Sequence, residues 1–395
     1  MEASREVASK YSTKIENLPE CILIHILSFL TTLEAVRTTM VCRAWRNLWY
    51  QVPSFSFDII PFHSPSNPYT ITLKKFIQCV NRVISIRPFT HVQKFHLRID
   101  CNNDRLISNV NNWVLHAINS KVIELDLDFD TWDLNFILTE ENCRIYREVD
   151  EFKEFPFNFF HLKDSSVKVL KLRRSSIICP PYVGSSDFQS VQSLFFDDLN
   201  FEDREVNDVI KFCVNLEYLT IHYCIIPECL EIYSSKLKKC ELESLDASEV
   251  VISAPRLHSV SILEVRAKVC FLEQSPNLVV AKVGYDGITL ENYSYWCHFM
   301  SSLATTKYLT VPNMYLGQEE FLKEMEITEE FMSRPVILHI PRLRKVKMMN
   351  YRGIKGEIYV VELIKRHQSV LEEVVAFPPE TAPFPLWMTT SNSSW

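Results

Sequence analysis

Three aspartates, Asp126, Asp128 and Asp130, alternate along an otherwise apolar stretch. A β-strand there would turn all three carboxylates to one face. Such a face could hold a cation or present an acidic strip to solvent or a substrate. No glycine-turn loop accompanies the aspartates, so the spacing favours the strip. A basic run, Arg342, Arg344, Lys345 and Lys347 with Arg352 and Lys355, reads as a solvated face that could receive an acidic partner or a phosphate. The 12 cysteines are scattered without a Cys-x-x-Cys pair, Cys224 and Cys229 being nearest to each other. No Cys/His cluster has zinc spacing, and the pattern predicts free thiols in a reducing compartment. Gly-x-Ser-x-Gly, His-Glu-x-x-His, Walker and Gly-x-Gly-x-x-Gly patterns do not occur. The residues therefore imply no enzyme, no metal and no cofactor.

The chemistry that remains is that of surfaces, and the elements must supply them. Hydrophobic residues make up 47% of the 395-residue chain and charged residues 23%, which is enough to build a sizeable core. A net charge of -7 leaves no global basic field for nucleic acid or an anionic membrane. The longest apolar run, Cys21 to Leu30, is interrupted by His25 and Ser28 and is too short to span a bilayer. The polar start, Met1 to Lys14, has no signal-peptide pattern, so a cytoplasmic or nuclear location is expected.

Residues 15 to 50 predict three short helices. Pro19 suits a first helical position. Ile22, Ile26 and Phe29, with Leu23, Leu27 and Leu30, put apolar residues on more than one face of the first helix. Leu33, Val36 and Met40 mark the second, and Trp45, Leu48 and Trp49 the third. So small a unit cannot bury all of this surface alone. Either it packs on the rest of the chain, or one face belongs to a partner. Residues 52 to 70, with Pro53, Pro61, Pro65 and Pro68, read as a linker or extended crossing segment. Two amphipathic helices follow, one on Leu73, Phe76, Ile77, Val80 and Ile84, the other on Leu106, Val110, Trp113, Val114 and Ala117.

From residue 92 a triplet recurs: apolar, two residues, apolar, one residue, apolar. Val122-Leu125-Leu127, Val167-Leu170-Leu172, Val191-Leu194-Phe196, Leu216-Leu219-Ile221, Leu237-Cys240-Leu242 and Leu257-Val260-Ile262 are examples, and further copies end at Leu371-Val374-Ala376. Their spacing falls in the range of about 20–29 residues that leucine-rich repeats use. Each repeat leaves an open sheet edge and needs a neighbour, so a solenoid follows: a curved parallel sheet with outer helices and loops. Longer intervals mark insertions, the largest over residues 131 to 162. Near the end, Glu357 to Arg366 predicts an amphipathic helix with Ile358, Val361 and Ile364 inward, closing the array between strands at Val346 and Val374. The tail from Pro378 to Trp395 is expected to lie loosely on the surface.

Leu18-Pro19, Ile22, Ile26-Leu-Ser28-Phe29-Leu30 and Val41-Cys42-Arg43-x-Trp45-Arg46 resemble the opening and close of an F-box. The repeats, with Leu343-Arg-Lys-Val-Lys, Tyr351-Arg-Gly353 and Val370-Leu-Glu-Glu-Val, resemble plant F-box/leucine-rich-repeat proteins with a C-terminal FBD region. Thr31 stands where that family often has Pro, which leaves the turn after the first helix less fixed. The resemblance implies an α/β architecture: a small three-helix F-box, then a leucine-rich-repeat solenoid closed by an FBD cap. It divides the chain into a flexible start (1–14), F-box (15–50), linker and amphipathic helix (51–91), repeats (92–340), FBD-like cap (341–377) and tail (378–395). It also implies a non-catalytic substrate receptor of an SCF-type ubiquitin ligase. A Skp-type adaptor, and through it a cullin, would meet Leu18, Pro19, Ile22, Ile26, Leu30, Val41, Cys42, Trp45 and Trp49, while the repeats hold a protein substrate. The alternatives are an interaction scaffold, or a small-molecule-gated receptor, whose F-box assembles no ligase.

Overall fold

The computed structural model describes Ile15, 18–40, 45–63, 69–87, 92–99, 104–129, 154–179, 188–202, 204–273, 275–284, 299–312, 340–351, Gly353, Ile358, 361–362, Lys365 and 370–378. It divides into two compact units, Met1–Ile225 and Ile226–Trp395.

The first unit begins with two short helices, α1 (Glu20–Leu27) and α2 (Thr32–Arg37), and a 3₁₀ turn over Leu48–Gln51. Strands β1 (Ser54–Asp58), β2 (Lys94–Arg98), β3 (Glu124–Asp128), β5 (Val169–Arg173), β7 (Ser193–Asp197) and β8 (Tyr218–His222) then pair in that order, every pair parallel. A small parallel pair joins β4 (Phe155–Asn158) to β6 (Ser175–Ile178). Helices α3 (Tyr69–Ile86) and α4 (Asp104–Asn119) carry the early crossovers, and α5 (Glu205–Phe212) the one before β8. The predicted apolar stripe of α4 is buried throughout. That of α3 is buried at Phe76 and Val80 and half-buried at Leu73, Ile77 and Ile84. The Trp113 indole N–H donates to Asn81 Oδ1 at 2.7 Å and ties the two helices together.

The second unit has its own parallel ladder: β10 (Lys239–Glu243), β12 (Ser259–Leu263), β14 (Val280–Val283), β15 (Tyr308–Pro312), β16 (Lys345–Met349) and β17 (Glu373–Ala376). A second parallel sheet, β9 (Cys229–Tyr233), β11 (Asp246–Ser253) and β13 (Arg266–Phe271), runs through the same repeats.

The recurrent triplets form the core. In register, Phe95, Leu125, Leu170, Leu194 and Leu219 make one buried column, and Leu97, Leu127, Leu172, Phe196 and Ile221 another. Cys240, Val260, Ala281, Leu309 and Val346 continue the pattern in the second unit. The period-2 alternation sends one set of side chains inward and leaves the other outward. Burial pushes the Cys224 and Cys240 thiols up to about 12, so they stay protonated as small apolar residues.

Three expectations need correction. The segment read as a linker contains β1, whose Ser54-Phe55-Ser56-Phe57 alternation buries both phenylalanines in the ladder. Pro53 cannot donate, but its carbonyl accepts from Gln93 and Lys94 at 2.8 and 3.2 Å, starting the strand pairing. Thr31 fixes the turn that the missing proline was expected to loosen. It caps α2 in a reciprocal box: its Oγ1 accepts from the Glu34 N–H (3.3 Å), and Glu34 Oε2 accepts from the Thr31 N–H (2.9 Å). Those hydrogen bonds hold the Glu34 carboxyl below its ordinary range. In the predicted C-terminal helix, Ile358, Val361, Glu362 and Lys365 are helical, but Ile358 is exposed where an inward position was expected. Ile364, Asp130 and most of the 131–162 insertion lie outside the described residues, as does the tail beyond Pro378.

One backbone feature recurs. Arg174, Asp198, Tyr223, Ser244, Glu264 and Asn350 each follow the last residue of a ladder strand, and each has positive φ, between 50° and 57°. Three of these corners hand a hydrogen bond to the strand that follows: the Arg174, Asp198 and Ser244 N–H groups donate to the carbonyls of Asp197, His222 and Leu263 at 2.9–3.0 Å. None is glycine, although this region of φ favours it.

Candidate docking surfaces

Helix α1 opens at Pro19, whose carbonyl accepts from the Ile22 and Leu23 N–H groups at 2.9 and 3.2 Å. Glu20 in the first turn suits the helix dipole. Leu23 and Leu27, one turn apart, point inward and are buried. Ile22, Ile26 and Phe29 lie on a different stripe, at spacings of four and three residues. Ile22 is 44% exposed, Ile26 is half-buried and Phe29 is 76% exposed. Leu18 and Pro19 precede the stripe, half-buried and exposed, and Leu30 follows it, half-buried. The His25 ring meets Phe29 edge-on at 4.8 Å. Met40, at the end of the next helical segment, is 80% exposed. The segment thus has one apolar stripe in the core and a second that the described residues leave largely uncovered.

The structure brings Leu18, Pro19, Ile22, Ile26 and Leu30 onto one short segment. It treats Trp45 and Trp49 differently: both are buried within the chain, and the 3₁₀ turn carrying Trp49 packs on α1. The guanidinium of Arg87 lies 6.0 Å from the Trp49 ring and 4.4 Å from Phe55. These two tryptophans are therefore core residues, a correction to their placement on a partner face. Val41 and Cys42 lie outside the described residues. The sequence places Phe29 and Met40 on the helices but not among the adaptor-face residues; their type in so short a helical unit was the available signal.

This helical segment is tied to the ladder. Thr32 Oγ1 accepts from the Ser56 N–H of β1 at 2.8 Å. Arg87, 2% exposed, donates to the carbonyls of Val52 and Ser54, and burial brings its pKa down to about 10.

The ladder offers the second surface. In the first unit the outward residues of β2, β3 and β5 set basic against acidic side chains. One registered row runs Asp58, Arg98, Asp128, Arg173, Asp197 and His222. Arg173 is its hub, with Nη1 3.1 Å from Asp126 Oδ1 and Nε 3.5 Å from Asp197 Oδ2, and with its guanidinium 4.8 Å from the Phe195 ring. Asp126 also meets His96 at 3.3 Å and Lys94 at 3.6 Å. Burial alone would raise its carboxyl; His96 and Arg173 outweigh burial and hold it well below the ordinary range. Lys171 and Lys94 do the same for Glu124, at 2.7 and 3.0 Å. The sequence favours a solvated or substrate-facing acidic strip at the aspartates. Asp126 is 6% exposed, and flanking basic strands neutralise it and Asp128, so neither is free for a cation. In the basic run, Arg344 and Lys345 pair with Glu372 and Glu373, while Arg352 and Lys355 lie outside the described residues.

Residues 15–57 match the F-box domain family. The N-terminal segment is an F-box. Its match ends inside β1, so the F-box and the first ladder strand share residues. The chain is 26% identical over 303 residues to an F-box/FBD/LRR-repeat protein of Arabidopsis thaliana, covering 74% of this chain and 63% of that one. It is 26% identical over 287 residues to F-box/LRR-repeat protein 13 of the same plant, covering 68% and 56%. A putative F-box/LRR-repeat protein is 37% identical over 116 residues, 29% of this chain and 23% of its own. The chain thus spans less than two thirds of each of these plant relatives. No described helix is long and apolar enough to cross a membrane.

Proposed function

We propose that this chain is the non-catalytic substrate-recognition subunit of an SCF-type ubiquitin ligase. The F-box docks a Skp-type adaptor, and through it a cullin, and the repeat ladder holds a protein substrate. The observation that carries this reading is the uncovered stripe of α1 within a segment that matches the F-box family. Leu18, Pro19, Ile22, Ile26 and Leu30 would form the adaptor face together with Phe29, and Val41 and Cys42 would extend it. Large apolar side chains closing into a partner groove supply most of the energy of such interfaces. Thr32 and Arg87 would hold the F-box in a set relation to β1. Residues 341–377 would act as an FBD cap that covers the last strands.

Co-purification with a Skp-type adaptor tests the reading. Ile22→Glu with Phe29→Glu should abolish capture while the circular dichroism of the chain stays native, since neither side chain is in the core. Leu18→Ala with Pro19→Ala should weaken it severely. Full capture by both double variants would reject this face.

A further inference from the structure

The outward residues of the second unit's later strands include no acid until β17. Across β14, β15 and β16 one row reads Val280, Tyr308, Lys345, and the next reads Lys282, Thr310, Lys347. Lys345 pairs with Glu373 at 3.0 Å. Lys282 and Lys347 are exposed, and neither has an ion-pair partner among the described residues. Neighbouring strands lie about 4.8 Å apart, so the two lysines stand on alternate strands roughly 10 Å apart at the backbone. The Thr310 hydroxyl lies between them in the row, and Tyr308, exposed, occupies the adjacent row on the same strand. In a chain of net charge -7 this is a local reversal of sign, and among the described residues no ion pair already holds Lys282 or Lys347.

We propose that this stripe receives an acidic segment of the protein substrate, with carboxylates on Lys282 and Lys347, a hydrogen bond from Thr310, and Tyr308 as the apolar contact. The inference rests on the substrate-receptor reading and adds a substrate class to it. A nucleic acid fits less well. Its backbone charges repeat without a break, and the stripe is bounded by Glu241, two strands before Lys282 in the same row, and by Glu373 on β17.

The test is fluorescence anisotropy of a labelled Glu/Ser peptide titrated with the purified full chain. Saturable binding should weaken by about tenfold in Lys282→Glu/Lys347→Glu. It should be unchanged in Lys74→Glu/Lys75→Glu, which alters net charge equally on α3. No loss in the first variant, or equal loss in both, overturns the proposal. So does an oligothymidylate that binds more tightly than the peptide through the same lysines. The sequence between β15 and β16 contains Glu319, Glu320, Glu324, Glu326, Glu329 and Glu330. If the peptide binds only when these are replaced by Gln, the occupant is the chain's own segment and the proposal falls. Thermal unfolding of each variant checks folding. Adaptor capture, measured in parallel, separates the two readings. Capture with no lysine-dependent peptide binding rejects the stripe alone; lysine-dependent binding without capture rejects the receptor reading and leaves the stripe.

Discussion

The outward face of β2, β3 and β5 in the first unit and that of β14, β15 and β16 in the second are each built on parallel strands but treat charge in opposite ways. The first places acidic and basic strands side by side, and Arg173 and Asp126 each bridge to more than one partner. The second pairs Lys345 with Glu373 but leaves Lys282 and Lys347 without an ion-pair partner among the described residues, with neutral Thr310 between them. A partner approaching the first must displace ion pairs before gaining its own. Electrostatics there serve register and stability, while in the second Lys282 and Lys347 would be left for the recognition proposed above. Two ladders of the same parallel kind, one in each unit, can thus treat charge differently without any change of strand architecture.

The largest expected effects should not distinguish the two faces. Leu219→Ala and Leu242→Ala remove buried column residues, one in each unit, and each should cost about 2–5 kcal/mol in urea unfolding. A much smaller loss in either would mean that its column is not a packed core. The faces should separate at the next level. Arg173→Ala strips a buried carboxylate of a charged partner and should cost about 2 kcal/mol, whereas Lys347→Ala should stay within about 0.5 kcal/mol. Equal costs would break the comparison.

Acid sharpens it further. Asp126 and Glu124 have depressed carboxyl pKa values, so their contribution is fully present above the ordinary carboxylate range, about pH 4. It is lost as pH falls through their lower folded values. The stability gap between wild type and Asp126→Asn should therefore hold constant from pH 6 down to about 4 and narrow below that. A gap that stays open in stronger acid would show that the pairs with His96 and Arg173 contribute little. The smallest effect concerns the corners: Tyr223→Gly in one unit and Ser244→Gly in the other should each stabilise by about 0.5 kcal/mol, read as a rise in urea midpoint. Losses in both would show that their side-chain contacts outweigh the backbone strain.

The buried columns were legible in the sequence because the triplet repeats and its apolar members are large: Leu170, Leu194 and Leu219 fell where the spacing put them. The uncovered stripe of α1 was legible in part. Helical spacing separated Ile22 and Ile26 from Leu23 and Leu27, but types alone could not tell that Trp49 lies under Arg87 while Phe29 faces outward. β1 was hidden by the prolines around it, although its Ser-Phe-Ser-Phe alternation was visible. The pairing of Asp126 could not be read locally, since Lys94 and Arg173 are far from it in sequence and reach it only through strand register. Thr31 was judged against a missing proline, when the signal was Glu34 three residues on.

The corners had no sequence signal, because the expected marker is glycine and the chain has only 6. Six left-handed residues with side chains, at roughly 1 kcal/mol each, amount to a sum on the order of a whole domain's stability margin. None lies on the α1 stripe or in the lysine rows that are proposed to bind partners. Mutation at a corner would therefore change how long the folded protein persists in a cell while leaving the proposed binding surfaces in place. Abundance and specificity would then be separately heritable traits.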